Sequence, residues 1–277
     1  MDEGSADGAP SLEASQREVP QLLWRDSAGS TNTELVRLAA HSDLPAFTTL
    51  VTTDQTAGRG RLDRAWVAPA GTALAVSVLV RSATPSGLPV EAEWLGWLPL
   101  AAGAAMADAV AAVLPSGPRV GVKWPNDVQI EGRKVCGILS ELVPSGVGVV
   151  GVGVVIGAGV NVTMSTEQLP VPTAISLVLA GADEHELFDR VLAAYLNSLT
   201  SLVTALWKHA GDADVSGLRA AVVARCTTIG REVRVELPGG AQLLGQATGI
   251  DHLGRLEVRD DGGRVRPVAA GDIVHLR

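Results

Sequence analysis

Residues 47–80 read FTTLVTTDQTAGRGRLDRAWVAPAGTALAVSVLV, and what flanks the arginines decides the fold. The leading FTTLVTTD (47–54) is β-branched and reads as a strand. TALAVSVLV (72–80) alternates enough to be a second. The loop between them therefore joins a strand to a strand. A phosphate-binding P-loop would need a Gly-Lys-Ser/Thr ending just before a helix, and neither is present. An RGG-type nucleic-acid segment is longer and sits in a basic protein. This chain has 277 residues and a net charge of −8. On its residues alone the loop is either a solvated turn or an ordered loop. In the second case its glycines permit close backbone approach while its arginines reach a small anion. Trp66 offers a flat face for a heterocycle.

Outward from this stretch, STNTELVRLAA (30–40) opens a helix, with Thr31 and Glu34 fitting a capping box. EWLGWLPLAAGAAMADAVAAVL (93–114) is Ala-rich and very apolar, a buried helix with Pro99 near its first turns. RVGVKW (119–124) is a strand, followed by the turn residues Pro125, Asn126 and Asp127. VQIEGRKVCGILSELV (128–143) is a hairpin turning at Glu131–Gly132–Arg133, and the Gly/Val run 146–162 is a buried strand or strand pair. Helices follow at 184–207 and 215–226. Short strands between Gly-rich turns then predict a small all-β barrel. The predicted organisation is a disordered tail over 1–18, a catalytic domain over 19–226 and a C-terminal domain over 227–277.

At 47% hydrophobic residues, the chain can bury one good core and a smaller second one. No N-terminal run has the charged-then-apolar shape of a signal peptide, and no apolar stretch free of Gly and Pro approaches membrane-spanning length. Cys136 and Cys226 lack metal-ligand spacing and read as reduced and buried, which places the chain in the cytoplasm. Only three of the 22 basic residues are lysine, and Lys123 and Lys134 share one twelve-residue window. Those two positions are expected to need a compact ammonium.

Asn126 and Asp127 can bind a metal-bridged phosphate or simply make a turn. Lys134 either snorkels at a strand edge or faces a ligand anion. GVGVVIGAGVNV (151–162) is a near miss for a dinucleotide fingerprint, but no helix follows it. There is no Gly-x-Ser-x-Gly elbow and no Cys-His pair. Arginines, lysines and a carboxylate around a Gly-rich loop suit stabilising charge on a phosphoryl group while a carboxylate substrate attacks it.

GSTN (29–32), DQTAGRGR…RAW, KWPNDV, GRKVCGIL, GAGVNV and the C-terminal GRLEVRD…GDIVHLR, in this order, resemble the biotin protein ligase family. The resemblance covers nearly the whole chain and implies an α+β fold, with a central mixed β-sheet flanked by helices and a C-terminal SH3-like barrel. It implies condensation of biotin with ATP, accompanied by Mg2+, to biotinyl-5′-AMP. Biotin then passes to one lysine on the carrier domain of a biotin-dependent carboxylase, an acyl-CoA or pyruvate carboxylase. Ser30, Thr31, Asn32, Gln55, Arg59, Gly60, Arg61 and Lys134 match the biotin side. Trp66, Lys123, Asn126, Asp127 and Asn161 match the ATP side, with Asp127 toward the phosphates and the metal. Lys134, Arg61, Lys123 and Asp127 match the catalytic positions. About 20 residues precede the catalytic domain, too few for a DNA-binding helix-turn-helix, so the ligase-only type is expected, with no DNA or membrane partner, as a monomer or weak homodimer. Lipoate–protein ligases run similar chemistry on the same fold; the arginine loop and KWPND favour biotin.

Overall fold

A computed structural model describes residues 10–81, 91–144, 152–237, 240–269 and 271–276. In chain order these hold α1 (Glu13–Glu18), β1 (Leu22–Trp24), α2 (Thr31–His41), β2 (Thr49–Thr52), β3 (Gly58–Arg59), β4 (Ala65–Trp66), β5 (Ala73–Arg81) and α3 (Trp97–Val113). Then come β6 (Val120–Lys123), β7 (Asp127–Ile130), β8 (Arg133–Val143), β9 (Gly153–Asn161), α4 (Leu187–Lys208) and α5 (Leu218–Arg225). The chain finishes with β10 (Glu232–Glu236), β11 (Gln242–Ile250), β12 (Leu256–Arg259), β13 (Val265–Val268) and β14 (Asp272–His275).

The central sheet runs β1-β2-β5-β9-β8-β7-β6. Only β1–β2 is parallel, so the sheet is mixed. Its strands alternate in a way that sets up everything above them. On β9, Val154, Ile156, Ala158 and Val160 enter the main core, where α3 and α4 pack. On β5, Leu74, Val76, Val78 and Val80 do the same. The opposite face takes α2 over Leu79 and Val155. β9 is antiparallel to both neighbours, so its glycines do not form a dinucleotide turn. The portion of the predicted Gly/Val strand at 146–151 lies outside the described residues. The segment through α3 is long and apolar enough to cross a membrane, but here it is buried against α4 and the sheet.

The C-terminal strands form a five-stranded antiparallel sheet, order β13-β12-β11-β10-β14. Two tryptophans pin it to the larger unit: Trp97 Nε1 donates to the His252 carbonyl at 2.9 Å and Trp124 Nε1 to that of Gly254 at 3.4 Å. The apolar core runs without a break from α3 into Val233, Val235 and Val258.

Two expectations are corrected. Residues 13–18, predicted as disordered tail, form α1, and the first nine residues lie outside the described ones. No side chain at its own N-terminus caps α1. The cap comes from Asp189 on α4, whose carboxylate accepts the Ala14 and Ser15 backbone N–H groups, each at 2.8 Å. A carboxylate there also complements the helix dipole. No local sequence pattern records a cap supplied from 175 residues away. The second correction is at α2. Ser30, not Thr31, is the N-cap, accepting from Thr33 N. Thr31 N–H instead donates to Gln55 Oε1 at 2.8 Å, and Glu34 pairs with Arg25 at 2.7 Å.

Asp189→Ala leaves two first-turn N–H groups unpaired and is expected to cost about 1–3 kcal/mol. Hydrogen exchange is expected to show α1 protection lost first and α4 protection largely kept.

Candidate active site

Every residue matched from the sequence to the biotin side, the ATP side or catalysis lines one cavity of about 610 Å³, a usual size for a small-molecule site. The cavity stands on the α2 side of the sheet, and its floor is defined by missing side chains. Gly137 on β8 pairs with Gly159 on β9, which pairs with Ala75 on β5. Gly157 pairs with Ser77 on one side and Leu139 on the other. Two side chains use this room. A Cβ at Gly159 would stand 2.7 Å from the Trp66 ring, and one at Gly157 would overlap the Asn32 amide.

The arginine loop is a short hairpin, β3 against β4, and is held at three points rather than free. Arg59 pairs with Glu141 on β8 at 2.7 Å and also donates to Thr33 Oγ1. Arg61 reaches inward, to Asn126 Oδ1 at 2.9 Å and the Gly271 carbonyl at 3.1 Å. Arg64 pairs with Asp272 of the C-terminal sheet. Between them the chain turns through a left-handed residue, Leu62 (φ 54°), which is exposed at the tip.

The KWPND turn and the β7–β8 hairpin supply the opposite wall. The turn at Glu131 (φ 48°) and Gly132 (φ 78°) reverses the chain where the sequence placed it. Lys134 crosses to Asp127 Oδ1 at 2.6 Å and lies over Gly137, so it faces the cavity rather than snorkelling. Asn126 Nδ2 donates to the Ile138 carbonyl at 3.0 Å, which leaves Oδ1 for Arg61. Asn161 is buried, and its Nδ2 donates to the Ile175 carbonyl at 3.0 Å. Cys136 also lines the cavity; burial pushes its thiol up to about 12, so it is protonated and inert at neutral pH.

Sequence reasoning missed the C-terminal wall of Glu236, Asp272, Ile273 and Val274, and also the loop's partner Glu141. The C-terminal wall is coupled to KWPND through Thr228, whose Oγ1 accepts Trp124 N–H at 3.0 Å and lies 3.1 Å from His275 Nε2. No group of three or more His, Cys, Asp or Glu among the described residues can hold a metal. Asp127 offers one carboxylate, with Oδ1 already paired to Lys134. That donor set suits a hard cation whose remaining ligands come from phosphate oxygens.

Residues 25–161 match the Biotin/lipoate A/B protein ligase family, and residues 228–276 match the Biotin protein ligase C terminal domain. The chain is 42% identical over 261 residues to a biotin–[acetyl-CoA-carboxylase] ligase of Mycobacterium tuberculosis, across 92% of this chain and 90% of that protein. The chain belongs to the biotin/lipoate protein ligase family. A biotin–[acetyl-CoA-carboxylase] ligase of Paracoccus denitrificans is 32% identical, across 85% of this chain and 92% of that protein. Among solved structures, the biotin protein ligase of Aquifex aeolicus in complex with biotin and ATP superposes with a TM-score of 0.68. It is 23% identical and covers 93% of this chain and 99% of that one.

Two outcomes test this geometry. Gly159→Val puts a branched side chain where the Trp66 ring lies, and is expected to abolish nucleotide binding while the melting temperature stays within a few degrees. Calorimetry with ATP, alongside a thermal melt, checks it. His275 has its pKa lowered, first by burial and then by the nearby Lys123 and Arg231 charges. Its contribution to stability is therefore complete above the unfolded imidazole value of about 6.5 and is lost as pH falls from there through the lower folded value. Melting temperature is expected to drop between pH 7 and 5, and less steeply in His275→Gln.

Proposed function

We propose that this chain is a biotin protein ligase, activating biotin with ATP and passing it to a carrier-domain lysine of a biotin-dependent carboxylase such as an acyl-CoA or pyruvate carboxylase. The observation that carries this is the convergence of Arg61, Lys123 and Lys134 on one cavity with a glycine-rich floor. In the first half-reaction a carboxylate oxygen of biotin attacks the α-phosphorus of ATP. A new P–O bond forms, the bond to the β-phosphate oxygen breaks, and pyrophosphate leaves with that electron pair. In the second, the neutral amine of the acceptor lysine attacks the acyl carbon, AMP departs, and the amine gives up a proton.

Both steps bring negative groups together, so fixed cations are the protein's main contribution. Lys134 stands at the junction of carboxylate and phosphate, with Arg61 and Lys123 along the phosphates. Ser30, Thr31, Asn32, Gln55, Arg59 and Gly60 form the biotin end. Trp66 stacks on adenine, with Asn126 and Asn161 beside the nucleotide. Magnesium would ride on the ATP phosphates next to Asp127 and neutralise their charge. The loop, tied across the mouth by Arg61 and Arg64, keeps water from the mixed anhydride.

Exchange of labelled pyrophosphate into ATP is expected with biotin and absent with lipoate; lipoate-dependent exchange would move the chain to the sibling activity, and no exchange would remove the enzyme. Lys134→Gln and Lys134→Arg are both expected to fold normally and to lose roughly 10²–10³ in single-turnover formation of biotinyl-5′-AMP. The arginine variant keeps the charge but sets a planar fork in a tight site.

A further inference from the structure

Beneath the biotin end lies a chain of hydrogen bonds whose direction is fixed by one carboxylate. Glu141 Oε2 accepts from Asn32 Nδ2 at 2.8 Å. The second Asn32 amide proton goes to the Leu139 carbonyl at 3.1 Å. Both donors of Asn32 are thereby spent, and its Oδ1 is turned toward Ser77 Oγ, 2.6 Å away. A carbonyl oxygen only accepts, so Ser77 gives it its one proton. Ser77 Oγ also lies 2.8 Å from Thr31 Oγ1. With the serine proton committed, Thr31 must be the donor in that contact. Gln55 Oε1 lies 3.1 Å from the same hydroxyl and accepts the Thr31 backbone N–H at 2.8 Å; donation of the hydroxyl proton to it instead would leave the 2.8 Å contact between the two hydroxyl oxygens without a proton. Ser77 and Asn32 are buried, so water does not scramble this order.

We propose that Glu141 and Ser77 are positioning residues that commit the Thr31 hydroxyl proton inward, leaving its oxygen as an acceptor toward the cavity and making this end selective for a ligand N–H. Neither residue lines the cavity itself; each acts through residues that do. Resting on the cavity as the biotin site, this assigns Thr31 Oγ1 a ureido N–H and makes Asn32 a member of the relay rather than a donor to the ligand. Glu141 also ties the relay to the loop, since both its oxygens accept from Arg59 at 2.7 and 2.8 Å.

In Glu141→Leu the carboxylate that fixes Asn32 is gone. Asn32 is free to flip, Ser77 then donates to Thr31, and the threonine proton is released toward Gln55 or the cavity. In Ser77→Ala the link is cut and the hydroxyl is free to rotate. The test measures KM for biotin and for ATP, the melting temperature, and the preference for biotin over analogues methylated at either ureido nitrogen. It uses the full chain as wild type, both single variants and the double variant. Each single variant is expected to raise KM for biotin about tenfold, the size of one hydrogen bond, with little change in KM for ATP. The preference for the N–H ligand is expected to shrink, and the double variant to be no worse than the poorer single one. Unchanged biotin KM, additive losses, or equal losses for both substrates in an otherwise active enzyme would overturn the relay alone. A wild-type protein that does not bind biotin would overturn the site from which it starts.

Discussion

Side chains are cut back over one patch where three adjacent strands meet, to glycine at 137 on β8 and at 157 and 159 on β9 and to Ala75 and Ser77 on β5, and the site exists because of it. A seven-stranded sheet buried on both faces would ordinarily fill each with branched residues. Here β9 does so along the α3 side, and on the α2 side only at Val155. Beyond Val155 that second face presents Gly157 and Gly159 to Ser77, Ala75 and Gly137. The depression is occupied at one end by the Asn32 amide and at the other by the Trp66 ring. Those two groups come from α2 and β4, so the glycine floor sets where both the helix and the arginine loop can rest.

Charge is then placed around that floor by elements that the rest of the fold holds rigid. Lys134 projects from a strand paired on both sides, and Gly137 gives its stem room. Arg61 spans from the loop to Asn126 and to the Gly271 carbonyl, and Arg64 pairs with Asp272 of β14, so the C-terminal sheet takes part in setting the arginine loop. Trp97 and Trp124 fix that sheet against the larger unit. Preorganised cations need no rearrangement as charge builds up, which is the property that phosphoryl transfer rewards.

Much of this was legible in the sequence because the signals were local. The Gly/Val alternation of 153–161, the Glu131–Gly132 turn and the switch to short strands after residue 226 each carry their own physical cause. The family motifs brought every candidate residue to one cavity. What was not legible depends on contacts between distant parts of the chain. The α1 helix is capped by Asp189, and the loop arginines Arg59 and Arg64 are paired with Glu141 and Asp272, carboxylates that no local motif marks. Asn32 was matched as a ligand contact, yet its two amide protons belong to Leu139 and Glu141. Its residues left the loop open between a solvated turn and an ordered loop; the ion-pair and hydrogen-bond anchors at Arg59, Arg61 and Arg64 make it ordered.

The most direct test of the glycine-floored cavity as the seat of the chemistry is a crystal structure of the chain with biotinyl-5′-AMP. The ligand is expected to lie along the α2 side of β9, its bicyclic ring at the Thr31–Gln55 end, its phosphorus beside Lys134 and its adenine against Trp66. Ligand density anywhere else, or in this cavity with the two ends reversed, would contradict the account.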